Sequence, residues 1–343
     1  MSHQKVEFMG KREPRNARHK MVDVLPLKAP YAVNLNPCGI CNFHCAFCPA
    51  NSKTLKPEFQ KHMDEIRGFM PMDLFYKIAD GFLELEEQTK VIYLTMTGEP
   101  LLHPQIAEMV DYLKRKKVCR DVRIISNGSL LNPQLNQDLI NAGLDVMKVS
   151  VEALSAEGYQ RLCNVHIDYD RFLDNIKDYY QRCEGTDSTI VAKILTVSLK
   201  DQEEFNRFYQ IYEPITHYQE VRNVENIWPG FSFEIKDEPV HVEVEQSEVG
   251  YDGICPAAFI ELGINVDGSV GLCKKDWAGQ LCLGNVHEMS IREIWDSEKR
   301  RQYHLQHLQG RSETNPFCKI CRRSHFGDSI SPEDAKIILK RMN

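Results

Sequence analysis

The sequence predicts an α/β fold, an open or partial barrel of repeated βα units followed by a small α+β region that carries a β-hairpin. Three observations support it. From Tyr31 to about Tyr212, short apolar runs alternate with stretches whose apolar residues recur at helical spacing. That alternation stops at an acidic stretch, 234–252, with seven acidic residues against one lysine. Beyond it, Asp267-Gly268 separates two further apolar runs, a strong two-residue hairpin signal.

The 343 residues correspond to about two domains. With 42% hydrophobic and 27% charged residues, the chain can bury a sizeable core. Forty-two basic against 49 acidic side chains give a net charge of -7, so no nucleic acid partner is expected. No apolar leader is present and no run approaches the roughly 18 residues of a membrane span, so a cytoplasmic chain with no membrane partner is expected. Its twelve cysteines are then reduced thiols, and their spacing decides which bind metal.

Residues 1–30 read as a polar arm containing the basic run KREPRNARHK, to which no chemistry is assigned. Residues 31–233 form the core. AVNL (32–35) is its first strand, followed by a helical face of Leu74, Phe75, Ile78, Phe82 and Leu85. VIYLT (91–95) precedes a helix carrying Ile106, Met109, Val110 and Leu113. VRII (122–125) precedes Leu135, Leu139 and Ile140, with Gly143 closing that helix. VMKVSV (146–151) leads to Phe172, Ile176 and Tyr180, and IVAKILTV (190–197) to Phe205, Phe208 and Tyr212. Repeated βα units imply parallel strands with the active site at their carboxyl ends, and a doubly wound sheet fits the same pattern. Residues 234–253 read as a linker or lid, and 254–343 as the second region. There FIELGINV and SVGLC flank the hairpin turn, and Ser290 with Glu293 forms a capping box for a helix carrying Ile291, Ile294 and Trp295.

Cys41, Cys45 and Cys48 lie in CNFHCAFC, directly after the first strand. Three thiols so close can wrap one metal centre. With Cys38 as a fourth ligand, CGIC and CAFC would make a structural zinc site. With three, one iron of a four-iron cluster stays open for catalysis. In that spacing, with Phe47 before the last cysteine, the sequence resembles the radical SAM superfamily. The resemblance implies a partial (β/α)6 barrel of TIM type, S-adenosylmethionine (SAM) chelated to the open iron, and an electron donor of flavodoxin or ferredoxin type. It also implies ligand roles for the strand ends. Gly98 and Glu99 match the glycine-rich motif that receives the SAM ammonium, Ser126 and Asn127 the third strand end, and Ser150 with Glu152 the ribose contacts. Many relatives carry an arginine where YQRLCN places Cys163, so Arg161 and Lys193 are both candidates for the SAM carboxylate. Cys38 is a spare, read as a buried small side chain.

Cys255, Cys273, Cys318 and Cys321 form a second four-thiol set, suited to a fully ligated cluster or to zinc. Beside the first motif, the order CPAAF, INVDGSVGLC, LGNV, SIREIW and CKIC resembles the SPASM and Twitch extensions of radical SAM enzymes, implying two four-iron clusters in all. The 17- and 44-residue gaps before CKIC are most similar to the single-cluster aminocyclitol dehydrogenases. NVENIWPG, with Trp228, resembles a stretch in relatives from sugar pathways. The expected reaction is oxidation of a carbinol carbon in a small polar substrate. The rivals are an epimerase, in which Cys282 returns a hydrogen atom, and a peptide maturase, for whose leader-binding domain 30 residues leave no room. Of another class is a non-catalytic iron-sulfur electron carrier or zinc-binding module.

Overall fold

The computed structural model describes residues 20–51, 55, 57–222, 254–276, 279–310, 315, 317–318, 321 and 330–342. The basic run up to residue 19, the Trp228 stretch and the linker 234–253 lie outside the described residues.

Six strands follow one another in chain order: β1 (Ala32–Leu35), β2 (Thr89–Leu94), β3 (Cys119–Ser126), β4 (Val146–Val151), β5 (Thr189–Leu195) and β6 (Tyr218–Arg222). Each pairs in parallel with its predecessor, so every crossover advances the sheet in one direction. A doubly wound sheet would reverse its order at a switch point. The sequential order makes this a partial barrel, as the resemblance implied.

The sheet has two chemically different faces because successive side chains alternate. Val33, Leu35, Ile92, Leu94, Val122, Ile124, Met147, Val149, Ile190, Ala192 and Ile194 join one buried core. They meet the helices α3 (Met72–Leu83), α4 (Ile106–Arg115), α5 (Pro133–Asn141), α7 (Tyr169–Arg182) and α8 (Gln202–Tyr212), which follow α1 (Met21–Val24) and α2 (Pro57–Glu65). In α4 the predicted stripe Ile106, Met109, Val110 and Leu113 is wholly buried. Side-chain caps start the later helices: Asn132 accepts from the Gln134 and Leu135 amides, Asp168 from Arg171 and Asp201 from Glu204. The other sheet face carries Asn34, Tyr93, Arg123, Lys148, Lys193 and Glu220 beside Val91, Val146 and Val191, so the barrel interior is partly charged. That explains why β6, YQEVR, gave no strong strand pattern: its Glu220 faces this interior, where it pairs with Lys148 at 2.9 Å.

The predicted hairpin is present. β7 (Glu261–Ile264) and β8 (Ser269–Gly271) run antiparallel, joined through Gly268, whose φ of 77° only glycine adopts without strain. β9 (Cys282–Asn285) adds a third antiparallel strand. This meander continues the core sheet, since β7 pairs in parallel with β1, from Ala32 opposite Glu261 to Leu35 opposite Ile264. Around it lie α9 (Ala257–Ile260), α10 (Ile291–Trp295), α11 (Glu298–Leu308) and α12 (Pro332–Met342). The Ser290–Glu293 capping box of α10 is formed in both directions. Helix α6 (Ala156–Cys163) lies between β4 and α7.

Candidate active site at the strand ends

The loop from Asn36 to Cys48 leaves β1 at its carboxyl end and is fixed by neighbours on three sides. The Asn36 amide donates to Ile264 at 2.8 Å, and the Glu99 amide donates to the Ile40 carbonyl at 2.8 Å. Gly98 lets these backbones approach: a Cβ there would lie 2.2 Å from the Cys38 oxygen. On the far side, the His44 and Ala46 amides donate to the Cys163 and Leu162 carbonyls, each at 2.9 Å. These are carbonyls at the end of α6, where a helix has acceptors to spare. Phe43, buried, meets the Tyr159 ring edge-on at 5.9 Å and anchors the middle of the loop.

Cys41, Cys45 and Cys48 are half-buried neighbours, and Phe47 sits half-buried between them on the same turn. Burial pushes the Cys41 thiol up to about 12 and Cys48 up to about 11. Contact with the Cys163 thiol, then burial, raises Cys45 further. Such thiols do not ionise on their own near neutral pH, whereas bound iron would deprotonate them, so the donor set fits a metal centre. Cys38 does not join them. It is 1% exposed and its thiol donates to the Ile40 carbonyl at 3.2 Å, the buried spare that was expected.

Glu99 caps a short 3-10 turn, Pro100–Leu102, and is 2% exposed. One carboxylate oxygen accepts from the Leu101 amide at 2.9 Å and the Ser126 hydroxyl at 2.7 Å. The other accepts from the Asn127 amide at 2.8 Å. Burial outweighs these donors and raises its pKa to about 7. Asn127 also donates to Asn42 and lies 4.0 Å from the Cys41 sulfur, while Asn42 donates to Ser129. The sequence gave no signal for Asn42 or Ser129, because their partnership depends on how β3 ends against the cysteine loop.

Ser150 and Lys193 are register partners across β4 and β5. Glu152 follows, 7% exposed, with its carboxylate pKa raised by burial and held back by Lys193. Neither the Glu152 carboxylate nor the Lys193 ammonium has a hydrogen-bond partner among the described residues. Lys148 and Arg222, by contrast, are both committed to Glu220. Glu152 lies close enough to the thiols Cys45 and Cys48 for them to sense its charge, and Lys193 lies beside Glu152. Arg161 lies exposed on the last turn of α6.

In the second set, Cys255 precedes α9, Cys273 follows β8, and Cys318 and Cys321 share a turn in which the Cys321 amide donates to Cys318 at 3.2 Å. Burial raises Cys273 well above the ordinary thiol range, with Cys255 the next cause, and lifts Cys318 to about 12 beside Cys255 and Cys321. The four are therefore neighbours. Four neighbouring thiols are a donor set that could hold an iron-sulfur cluster or zinc.

Between α2 and the β7–β8 hairpin lies a cavity of about 210 Å³. Met96, just after β2, lines it together with Cys273, Cys282, His62, Asn265 and Asp276. Asp276, raised to about 7 by burial, accepts the Gln280 and Leu281 amides at 2.7 and 2.8 Å and so shapes the turn before β9. His62 Nε2 and Asn265 Oδ1 are buried with no hydrogen-bond partner among the described residues. Sequence reasoning missed both, since α2 and β7 are distant in the chain.

Comparison with known proteins agrees with this geometry. Residues 35–205 match the radical SAM superfamily and residues 255–322 the iron-sulfur cluster-binding domain SPASM. A Pyrococcus furiosus tungsten-containing aldehyde ferredoxin oxidoreductase cofactor-modifying protein is 32% identical over 114 residues, 33% of this chain and 28% of that one. The chain thus spans under a third of that relative's length. Among solved structures, anSMEcpe with bound AdoMet superposes with a TM-score of 0.60 at 13% identity, covering 91% of this chain and 98% of that one. BtrN in complex with AdoMet and 2-DOIA gives 0.54 at 16%, covering 87% and 94%. At these identities the two share a fold. No helix among the described residues is long and apolar enough to cross a membrane. The chain belongs to the radical SAM superfamily, with a SPASM iron-sulfur domain after its barrel, and SAM and iron-sulfur clusters are its cofactors.

Proposed function

We propose that the chain oxidises a carbinol carbon of a small polar, cyclitol- or sugar-like substrate to a ketone. Cys41, Cys45 and Cys48 hold the SAM-binding cluster in this reading, and Cys255, Cys273, Cys318 and Cys321 the auxiliary one. Phe47, Gly98, Glu99, Ser126, Asn127, Ser150, Glu152, Arg161 and Lys193 form the SAM site. Glu152 and Lys193 are more available than Glu99, Ser126 and Asn127, which already bind one another. With cofactors bound, the first site supplies a 5'-deoxyadenosyl radical for hydrogen abstraction.

One observation carries the choice of reaction. The cavity reaches from Met96, at the mouth of the barrel, to Cys273, a ligand of the second set. A substrate held there lies beside an electron acceptor, which favours net oxidation. Its volume suits a monosaccharide-sized molecule and falls below the roughly 300 Å³ of larger ligand sites. His62 lines the same cavity, its buried Nε2 has no hydrogen-bond partner among the described residues, and we assign it as acceptor of the carbinol proton. An outside donor of flavodoxin or ferredoxin type supplies the reducing electron.

Cys282 supports a second reading, because it also lines the cavity. A thiol there could return a hydrogen atom to the opposite face of a substrate radical, giving an epimer. Anaerobic turnover with pools of cyclitols and nucleotide sugars separates the two. Oxidation gives a product lighter by two hydrogens, with Cys282→Ala still active. An isobaric product carrying one deuterium from heavy water, lost in Cys282→Ala, would overturn oxidation in favour of epimerisation.

A further inference from the structure

The second thiol set has a neighbour that the proposed reaction does not use. His307, on α11, is 3% exposed, and its Nε2 lies 3.8 Å from the Cys318 sulfur. Its other ring nitrogen, Nδ1, is buried with no hydrogen-bond partner among the described residues. The ring is fixed by Phe259, edge-on at 6.2 Å, within a buried layer. In that layer His304 bonds the Ala258 carbonyl at 2.9 Å, and Arg300 lies over Trp295 at 3.3 Å and donates to its carbonyl.

A neutral imidazole carries one ring proton, and its position follows from the partners available. A proton on Nδ1 would leave a buried N–H with nothing to accept it and would turn the bare Nε2 lone pair toward a sulfur lone pair. A proton on Nε2 meets the sulfur. The packing around α11 therefore selects the Nε2–H tautomer and aims it at Cys318.

We infer that His307 is a positioning residue for the auxiliary cluster, its Nε2–H donating to the Cys318 sulfur so that the cluster accepts an electron more readily. A hydrogen bond to a ligand sulfur withdraws electron density and stabilises the more negative, reduced state, which raises the reduction potential. Raising it on this cluster makes it a better sink for an electron arriving from the cavity beside Cys273. The inference rests on the four thiols holding a cluster, and an iron count tests that separately.

The experiment uses the full chain carrying Cys41→Ala, Cys45→Ala and Cys48→Ala, so that the auxiliary cluster alone contributes to the spectrum. Its potential is measured by redox titration followed by electron paramagnetic resonance, with His307, with His307→Phe and with His307→Gln. His307→Phe keeps the ring shape and removes the donor. It should hold the same iron and show a potential lower by about 59 mV, a tenfold weaker hold on one electron. His307→Gln, which restores an N–H, should recover part of that shift. An unchanged potential in an iron-replete His307→Phe overturns the inference. Should His307→Phe lose its iron, pulsed resonance on the His307 protein with 15N-labelled histidine decides. A 15N coupling to the reduced cluster supports the inference, and its absence overturns it.

Discussion

Ser126 donates its hydroxyl to Glu99 at 2.7 Å, and with this bond the end of β3 is tied to the end of β2 directly behind the cysteine loop. Replacing Glu99 with alanine strands three buried donors, from Ser126, Asn127 and Leu101. Each unsatisfied group costs about 1 to 3 kcal/mol, so Glu99→Ala should lower the stability of the metal-free chain by at least about 3 kcal/mol in urea denaturation. Glu99→Gln, which keeps one acceptor, should lose less. Equal stability of all three proteins would contradict the structural role derived for Glu99.

The two thiol sets predict iron content. The anaerobically reconstituted chain should bind about eight irons, and the protein with Cys41, Cys45 and Cys48 all changed to alanine about four. Cys38→Ala should leave both the count and SAM cleavage as they are, because its sulfur is spent on the Ile40 carbonyl. Stoichiometric zinc in the second site of anaerobically purified protein would refute the assignment of a second cluster.

Lys193 and Glu152 test the proposed SAM site. Losing one charge-assisted hydrogen bond is worth about 1.5 to 3 kcal/mol, so Lys193→Met should weaken SAM binding by about tenfold or more. Glu152→Gln should act in the same direction, and neither should change the iron count. SAM affinity unchanged in both proteins, measured by equilibrium dialysis, would remove these residues from the site.

His62 gives a pH dependence. Burial lowers its pKa below the ordinary 6.5, opposed by Asp267 from the hairpin turn and Glu65 from its own helix. Its ring is therefore mostly neutral, and able to accept a proton, at pH 6.5 and above. If His62 sets the acid limb of substrate oxidation, activity is retained through pH 6.5 and falls only at lower pH. His62→Gln should reduce oxidation by about a hundredfold, the usual scale of general-base catalysis, while 5'-deoxyadenosine still forms. An oxidation rate in His62→Gln equal to wild type would exclude it as the base.

The sequence was most legible where the chemistry is local. Cys41, Cys45 and Cys48 lie within one turn-forming loop, so their spacing alone was enough to propose a shared metal. Asp267-Gly268 specifies a hairpin turn by backbone conformation, and Ser290 with Glu293 caps α10 within a single turn. Strands β1 and β4 were readable from their apolar runs, because one whole face of each is pressed against helices. β6 was not, since half its side chains face a charged barrel interior.

What the sequence by itself determined is thus the donor chemistry, two sets of closely spaced thiols, and the local signals that begin and end each element. The tertiary structure alone decided what those donors face. β7 is laid beside β1 rather than in a sheet of its own, which brings Asn265 and Cys273 to the cavity bordered by Met96. α6 ends against the cysteine loop, setting Cys163 against Cys45, and α11 aims His307 at Cys318. The physical reason is that strand register and helix packing fix these contacts through burial summed over the whole core. No short stretch of sequence carries that sum.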